Sequence, residues 1–215
     1  MFEYMSSPMR WCETIQGNAF LYSEHIVEFW NTLTSFIFCI LAIYGYINNR
    51  HLDVIPWIYL FSIGITSAWF HATLSFMGQF CDELSIILLI AYCLKIFYNI
   101  KSILYNYLTI LVVLISWIYP NVSPPILLCI GLTLITTTYF SIKNDKSLIL
   151  LWMDSMKIGI VGVICWLFDF ICYFNTHTLW HVFISIAAYY MILLALPTNT
   201  SLLCTNSILP YWKKN

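Results

Sequence analysis

Apolar residues run along this chain in continuous stretches rather than alternating with polar ones. A helical crossing of a bilayer needs about 20 mostly apolar residues. Seven stretches approach that length: 26–47, 54–75, 80–99, 103–119, 124–142, 155–174 and 178–196. Polar punctuation separates them. Asn48-Asn49-Arg50-His51 closes the first, and Met77-Gly78-Gln79 turns the second into the third. Residues 120–125, with their prolines, part the fourth from the fifth, and Lys143-Asn144-Asp145-Lys146 parts the fifth from the sixth. Residues 148–154 read as interfacial, ahead of a sixth helix starting near Ser155. Continuous runs predict helices, because the strands of a membrane barrel alternate between lipid-facing and lumen-facing residues. The expected fold is an all-α integral membrane protein of seven transmembrane helices. An N-terminal segment 1–25 precedes the helical domain 26–196, and a short tail 197–215 follows it. No internal repeat or second domain interrupts the pattern.

Composition narrows the class further. Of 215 residues, 61% are hydrophobic and only 9% are charged, whereas a soluble domain carries roughly a quarter charged residues. Nine basic and ten acidic side chains cannot clothe a globule of this size in water. Seven Gly and seven Pro, without a repeat, exclude collagen-like and disordered chains. A formal net charge of −1 and the lack of a basic run argue against nucleic acid as a partner. Residues 1–25 are polar and aromatic, without the basic start and short apolar core of a cleavable signal peptide. The first apolar helix is therefore expected to act as the targeting signal itself.

The basic residues orient the chain. Arg50, Lys95, Lys101, Lys143, Lys146, Lys213 and Lys214 lie in or beside alternate loops and the C-terminus, while the opposite set of loops holds only Arg10. The positive-inside rule then puts the C-terminus in the cytoplasm and the N-terminus outside or in a lumen. Lys157 stands apart, in an i, i+3 pair with Asp154. Eight cysteines are scattered without a C-x-x-C pair, and most fall in apolar stretches, where cysteine behaves as a small hydrophobe. Cys12, Cys81 and Cys172 lie near stretch ends and could meet an oxidising compartment.

Ionisable side chains inside apolar spans are costly, so each one marks a candidate site. His71 lies about one turn from the end of the second span, with Ser67 four residues earlier on the same helical face. Asp82 lies about one turn into the third span, so an antiparallel hairpin brings it to the depth of His71. His177 and His181 stand at i, i+4 at the start of the seventh span, where Asn175 or Thr176 is expected to cap the helix. The end of the second helix and the starts of the third and seventh share one membrane face. Five polar residues from three helices therefore converge near the non-cytoplasmic boundary.

Three histidines, two of them one turn apart, are a zinc-ligand set that leaves a fourth position open for water. Such a zinc lowers the pKa of its water to about 7 and polarises a carbonyl. Asp82 could then orient the water or take its proton, and Ser67 could donate to a developing oxyanion. A lone interfacial histidine is ordinarily a hydrogen-bonded amphipathic residue, and His25 and His51 are read that way. It is co-location of three His, an Asp and a Ser that favours a metal. Asp169, three residues after Trp166, either supports this site or is a helix-packing hydrogen bonder. The many aromatic residues mostly read as core and interfacial belt.

Ser67-Ala-Trp-Phe-His71-Ala-Thr-Leu, followed by Gln79-Phe-Cys-Asp82-Glu83-Leu84, resembles the signature of the alkaline ceramidases. These belong to a superfamily of seven-helix membrane hydrolases that includes adiponectin-type receptors. The Ser/His/Asp and H-x-x-x-H parts alone point only to that superfamily. A related lipid receptor with structural zinc, or a hydrolase of another membrane lipid, would share them. Trp11-Cys12-Glu13, Glu28-Phe29-Trp30-Asn31-Thr32, and His177-Thr178-Leu179-Trp180-His181 with Tyr189 narrow it to ceramidases. The resemblance spans residues 11–190, Trp166-x-x-Asp169 included.

The resemblance implies a zinc-dependent amidohydrolase that cleaves the amide of ceramide to a sphingoid base and a fatty acid. His71, His177 and His181 would bind zinc, with Ser67 and Asp82 assisting catalysis. Trp166, Asp169, Trp180 and Tyr189 would support the site. An endoplasmic reticulum or Golgi membrane is the implied location, with ceramide as the lipid partner and no obligate protein partner. Family members also bind calcium near the N-terminus, using an acidic residue just before Trp-Cys-Glu. By resemblance Trp11, Glu13 and Glu28 would be calcium ligands here, with Asn18 in the amide role. Arg10 stands where the family has the acid, and charge count sets calcium affinity, so that affinity should fall. The family also pairs cysteines in two places on the lumenal side, which implies a Cys12–Cys172 bond here.

Overall fold

The protein is described by a computed structural model that covers residues 7–98, 102–119 and 123–196. The predicted tail 197–215, with Lys213 and Lys214, lies outside the described residues, as does Lys101. The described chain is all-helical, with α1 Cys12–Ile15, α2 Phe29–Asn48, α3 Ile55–Thr73 and α4 Phe76–Tyr98. Next come α5 Ser102–Ile118, α6 Ser123–Ile142, α7 Lys146–Asp169 and α8 His177–Ala195. Among the described residues, four helices are long and apolar enough to cross a membrane: Phe29–Asn48, Pro125–Ile142, Lys146–Asp169 and His177–Ala195.

Three boundaries differ from the apolar pattern, each for a local reason. Met77-Gly78-Gln79 is not the turn between the second and third spans but part of the first turns of α4; the chain turns at Leu74, whose φ is 45°. Residues 148–154 are not interfacial coil but the first turns of α7. Asp145 caps that helix, its Oδ1 accepting from Ser147 N at 2.9 Å and Leu148 N at 3.2 Å. A cap acts on orphan backbone donors whatever the hydropathy of the helix it opens. The same helix stops at Asp169 rather than 174, and Cys172, with φ of 52°, turns the chain toward α8.

Helix α2 packs on α3 and α8, α3 on α4, and α7 on α8. The α2–α3 contact is close because Gly64 has no side chain: a Cβ there would lie 2.5 Å from Cys39 Sγ. The bundle has an apolar half and a polar half. Phe38 and Ala42 of α2, Trp57, Leu60 and Ile63 of α3, Leu89 and Cys93 of α4, and Tyr189 and Ile192 of α8 form the buried apolar core. The other end buries Asn31, Ser35, Ser67, His71, His177, His181 and Ser185. Large apolar side chains face outward, among them Ile40, Phe140 and Ile160.

The N-terminal segment lies across the polar end as a strap. Ser7 N donates to Leu74 O, Val27 N to Ala72 O and Glu28 N to His71 O. Ser7 Oγ donates to Gln79 Oε1 at the start of α4. Cys12 is disulfide-bonded to Cys172, with Cα atoms 4.9 Å apart, a separation suited to the bond. Gln16 Nε2 adds a bond to Cys172 O at 3.1 Å.

Candidate metal centre

His71 occupies the last turn of α3, and His177 and His181 the first two turns of α8. All three are buried, and one ring nitrogen from each lies within 4.8 Å of the others. Ring centroids are 5.0 Å apart for His71–His177 and His71–His181, and 4.7 Å for His177–His181. His71 Nδ1 lies 2.7 Å from Glu28 Oε2. An ionised carboxylate only accepts, so His71 Nδ1 is the donor in this bond, and Nε2 is the ring atom left for a metal. His181 Nδ1 lies 2.9 Å from Thr34 Oγ1. His177 Nδ1 is buried with no hydrogen-bond partner among the described residues, and its ring stacks on Trp11 at 3.7 Å and 20°. A buried polar nitrogen without a partner is costly unless something else satisfies it. A metal ion among three imidazoles would do so, and the donor set is one that zinc favours.

Asp169 holds the start of α8 from the end of α7. Its Oδ1 accepts from His177 N and its Oδ2 from Cys12 N, both at 2.9 Å. Neither expected cap plays that role. Thr176 makes no side-chain cap, its Oγ1 donating instead to Cys165 O, and Asn175 Nδ2 reaches Glu13 Oε2. Asp169, 1% exposed, therefore both supports the site and packs two helices together.

Ser67 lies one turn before His71, buried, and accepts from Ser35 Oγ at 3.1 Å. Asp82 lies across the short α3–α4 turn, its Oδ1 buried without a partner among the described residues and outside the hydrogen bonds of the histidines. Trp166 packs against Trp11 and Trp180 at 6.5 and 6.1 Å. Tyr189 is eight residues past His181, about 12 Å along a helix, and packs on Trp57 in the apolar core. His25 and His51 are exposed.

The calcium expectation meets a different geometry. Trp11, Glu13 and Glu28 do come together, but their oxygens are engaged. Glu28 accepts from Trp11 N and Thr14 Oγ1 on one oxygen, and from Asn31 Nδ2 and His71 Nδ1 on the other. Glu13 accepts from Trp30 N, Asn31 N and Asn175 Nδ2. The Trp11 carbonyl accepts from Thr14 N and Ile15 N. Asn18 is tied in only through its backbone, donating N–H to Glu13 O. Arg10 is exposed. Calcium takes six to eight oxygen ligands, and these residues do not fit that need.

The Glu28–His71 pair and the Thr34–His181 contact were not legible in the sequence as parts of the metal site; Asp169 is expected there as a supporting residue, but not as the cap of α8. Glu28 carried a signal, a lone acid at the mouth of an apolar span, which the motif resemblance directed to calcium instead.

The fold and site define a helical bundle with membrane-length helices and a buried three-histidine metal pocket at one end. A family model described as Ceramidase matches residues 3–215. The chain is 30% identical over 243 aligned residues to an alkaline ceramidase of Drosophila melanogaster, covering 98% of this chain and 84% of that protein. It is 31% identical over 227 residues to alkaline ceramidase 1 of Homo sapiens, covering 91% and 84% respectively. Alkaline ceramidase 3 of Mus musculus is 24% identical over 235 residues, covering 91% and 85%. The chain belongs to the alkaline ceramidase family.

Proposed function

We propose that this protein is a zinc-dependent membrane hydrolase that cleaves the amide bond of ceramide, releasing a sphingoid base and a free fatty acid. The observation that carries the reading is the buried triad His71, His177 and His181 in a chain of this family. Seven spans with the N-terminus lumenal fit the seven long helices and the seven-to-one distribution of loop cations. That arrangement sets the polar end of the bundle at the lumenal boundary, where a lipid amide can enter.

His71, His177 and His181 would hold the ion through ring nitrogens. When bound, zinc supplies a Lewis acid for the amide carbonyl and a means of ionising water near neutral pH. Asp82 takes the proton from the attacking water and delivers it to the departing amine nitrogen. The hydroxyl adds to the acyl carbon, the C–N bond breaks, and the products are a carboxylic acid and an amine. Ser67 donates to the oxygen on which negative charge develops. Trp11, stacked on His177, excludes water from one side of the ligand set. The test is metal content and ceramide turnover measured on one purified preparation. One zinc per chain is expected, with His181→Ala losing both metal and turnover. Ceramide left intact by zinc-loaded wild type would end the reading.

A further inference from the structure

We propose that Glu28 is a positioning residue for His71, and that the N-terminal motif of this chain does this work in place of holding calcium. The proposal rests on zinc occupying the three histidines. An imidazole that ligates through Nε2 is usually fixed by a hydrogen bond from its Nδ1–H to a carboxylate or carbonyl. Glu28 meets that need: its Oε2 is 2.7 Å from His71 Nδ1, and both residues are almost wholly buried.

The rest of the carboxylate is committed to the protein. A carboxylate offers about four lone-pair sites. Trp11 N, Thr14 Oγ1, Asn31 Nδ2 and His71 Nδ1 take all four of Glu28's. The backbone reinforces the pair, since Glu28 N donates to the carbonyl of His71 itself. Residue 28 is thus bound to residue 71 by both main chain and side chain. Glu13 is equally occupied, accepting Trp30 N and Asn31 N in the first turn of α2, where a negative charge meets the positive end of the helix. The acids therefore act as a hydrogen-bonded clasp. One arm caps α2, and the other fixes the tautomer of a metal ligand.

Glu28→Gln removes the charge and almost no volume. Gln either presents its oxygen to Nδ1–H without charge, or presents its amide and drives the proton to Nε2, where it blocks the ligand atom. Zinc affinity, read by competition with a chelating indicator on the purified full chain, should fall about 10- to 100-fold. Glu13→Gln disturbs the same clasp without touching a histidine, so it should lower the unfolding midpoint yet keep zinc affinity within about threefold of wild type. Helical circular dichroism and an intact Cys12–Cys172 bond identify folded protein. If Glu28→Gln does not fold, Glu28→Asp, whose carboxylate falls short of His71, takes its place. Calcium chloride added at fixed zinc should leave the wild-type unfolding midpoint where it was.

Zinc bound by folded Glu28→Gln as tightly as by wild type would overturn the positioning role. A calcium-induced rise in the wild-type midpoint that Glu28→Gln abolishes would restore calcium to this motif and overturn the replacement. Wild type that binds no zinc in the indicator assay would overturn the zinc reading itself, a result distinct from either of these.

Discussion

Replacing Asp169 by Asn removes one negative charge and almost no volume, so it isolates what the carboxylate does. Asp169 accepts Cys12 N on one oxygen and His177 N on the other, each at 2.9 Å, with the side chain 1% exposed. An amide can accept only one of these donors. Its NH2 group then meets the second N–H at hydrogen-bond distance with nothing to accept. One hydrogen bond to a charged group, about 1.5–3 kcal/mol, is lost, and the survivor weakens toward the neutral value of about 1 kcal/mol. The favourable interaction of the charge with the α8 N-terminus also goes. The sum is about 3 kcal/mol, which for a chain of this length lowers the unfolding midpoint by about 6–12 °C. The assay is thermal unfolding of purified protein followed by circular dichroism, with Asp169→Asn beside wild type. Because Cys12 is also held by its disulfide, the loss should grow when Cys172→Ser is combined with Asp169→Asn. Contacts that share a segment couple in this way. An Asp169→Asn midpoint equal to wild type would refute the argument that this carboxylate fastens the strap to α8.

Three further outcomes are expected. Asp82→Asn should retain zinc while turnover falls roughly 100-fold or more, the scale of a general acid–base group; undiminished ceramide cleavage by this variant would reduce Asp82 to a packing residue. Gly64→Ala pushes a Cβ to within 2.5 Å of Cys39 Sγ and 2.9 Å of Cys39 N, so stability should drop by about 1–3 kcal/mol, and an unchanged unfolding midpoint would mean that α2 and α3 pack less closely than described. Asp145→Ala should cost about 1 kcal/mol without altering turnover. The bonds from Ser147 and Leu148 hold the Asp145 carboxyl below the usual range. Its contribution is therefore present above the ordinary carboxylate pKa and lost as pH falls through the folded value, and a stability difference that grew on acidification would contradict the sign.

The sequence makes the long helices and the three histidines legible for the same reason. In an apolar chain, helices appear as uninterrupted runs, and an ionisable residue inside one has no local excuse. Helix ends are another matter. The start of α7 depends on Asp145 satisfying backbone donors, and nothing in the hydropathy of 148–154 reports that. The cap of α8 is less visible still, because Asp169 belongs to the preceding helix and reaches His177 across a loop. A pattern search centred on the helix start finds Asn175 and Thr176, which bond elsewhere. Glu28 illustrates the same limit at longer range: it stands 43 residues before His71, and the stretch between them carries no period that would join them.

The strap also sets a timetable for the protein's birth. Cys12 and Cys172 are 160 residues apart, which at about 5–20 residues per second is roughly 8–32 seconds of synthesis. Throughout that interval Trp11 has no His177 to stack on, Cys12 lacks Cys172, and the buried cluster lacks two of its three histidines. On the proposed function, a growing chain is therefore inert toward lipid until α8 emerges, and its earliest-made segment is among the last to settle. An interrupted chain that ends before residue 177 would leave the ribosome with only His71 of the three-histidine cluster. On the proposed function, turnover of a lipid can begin only once nearly the whole chain has been made.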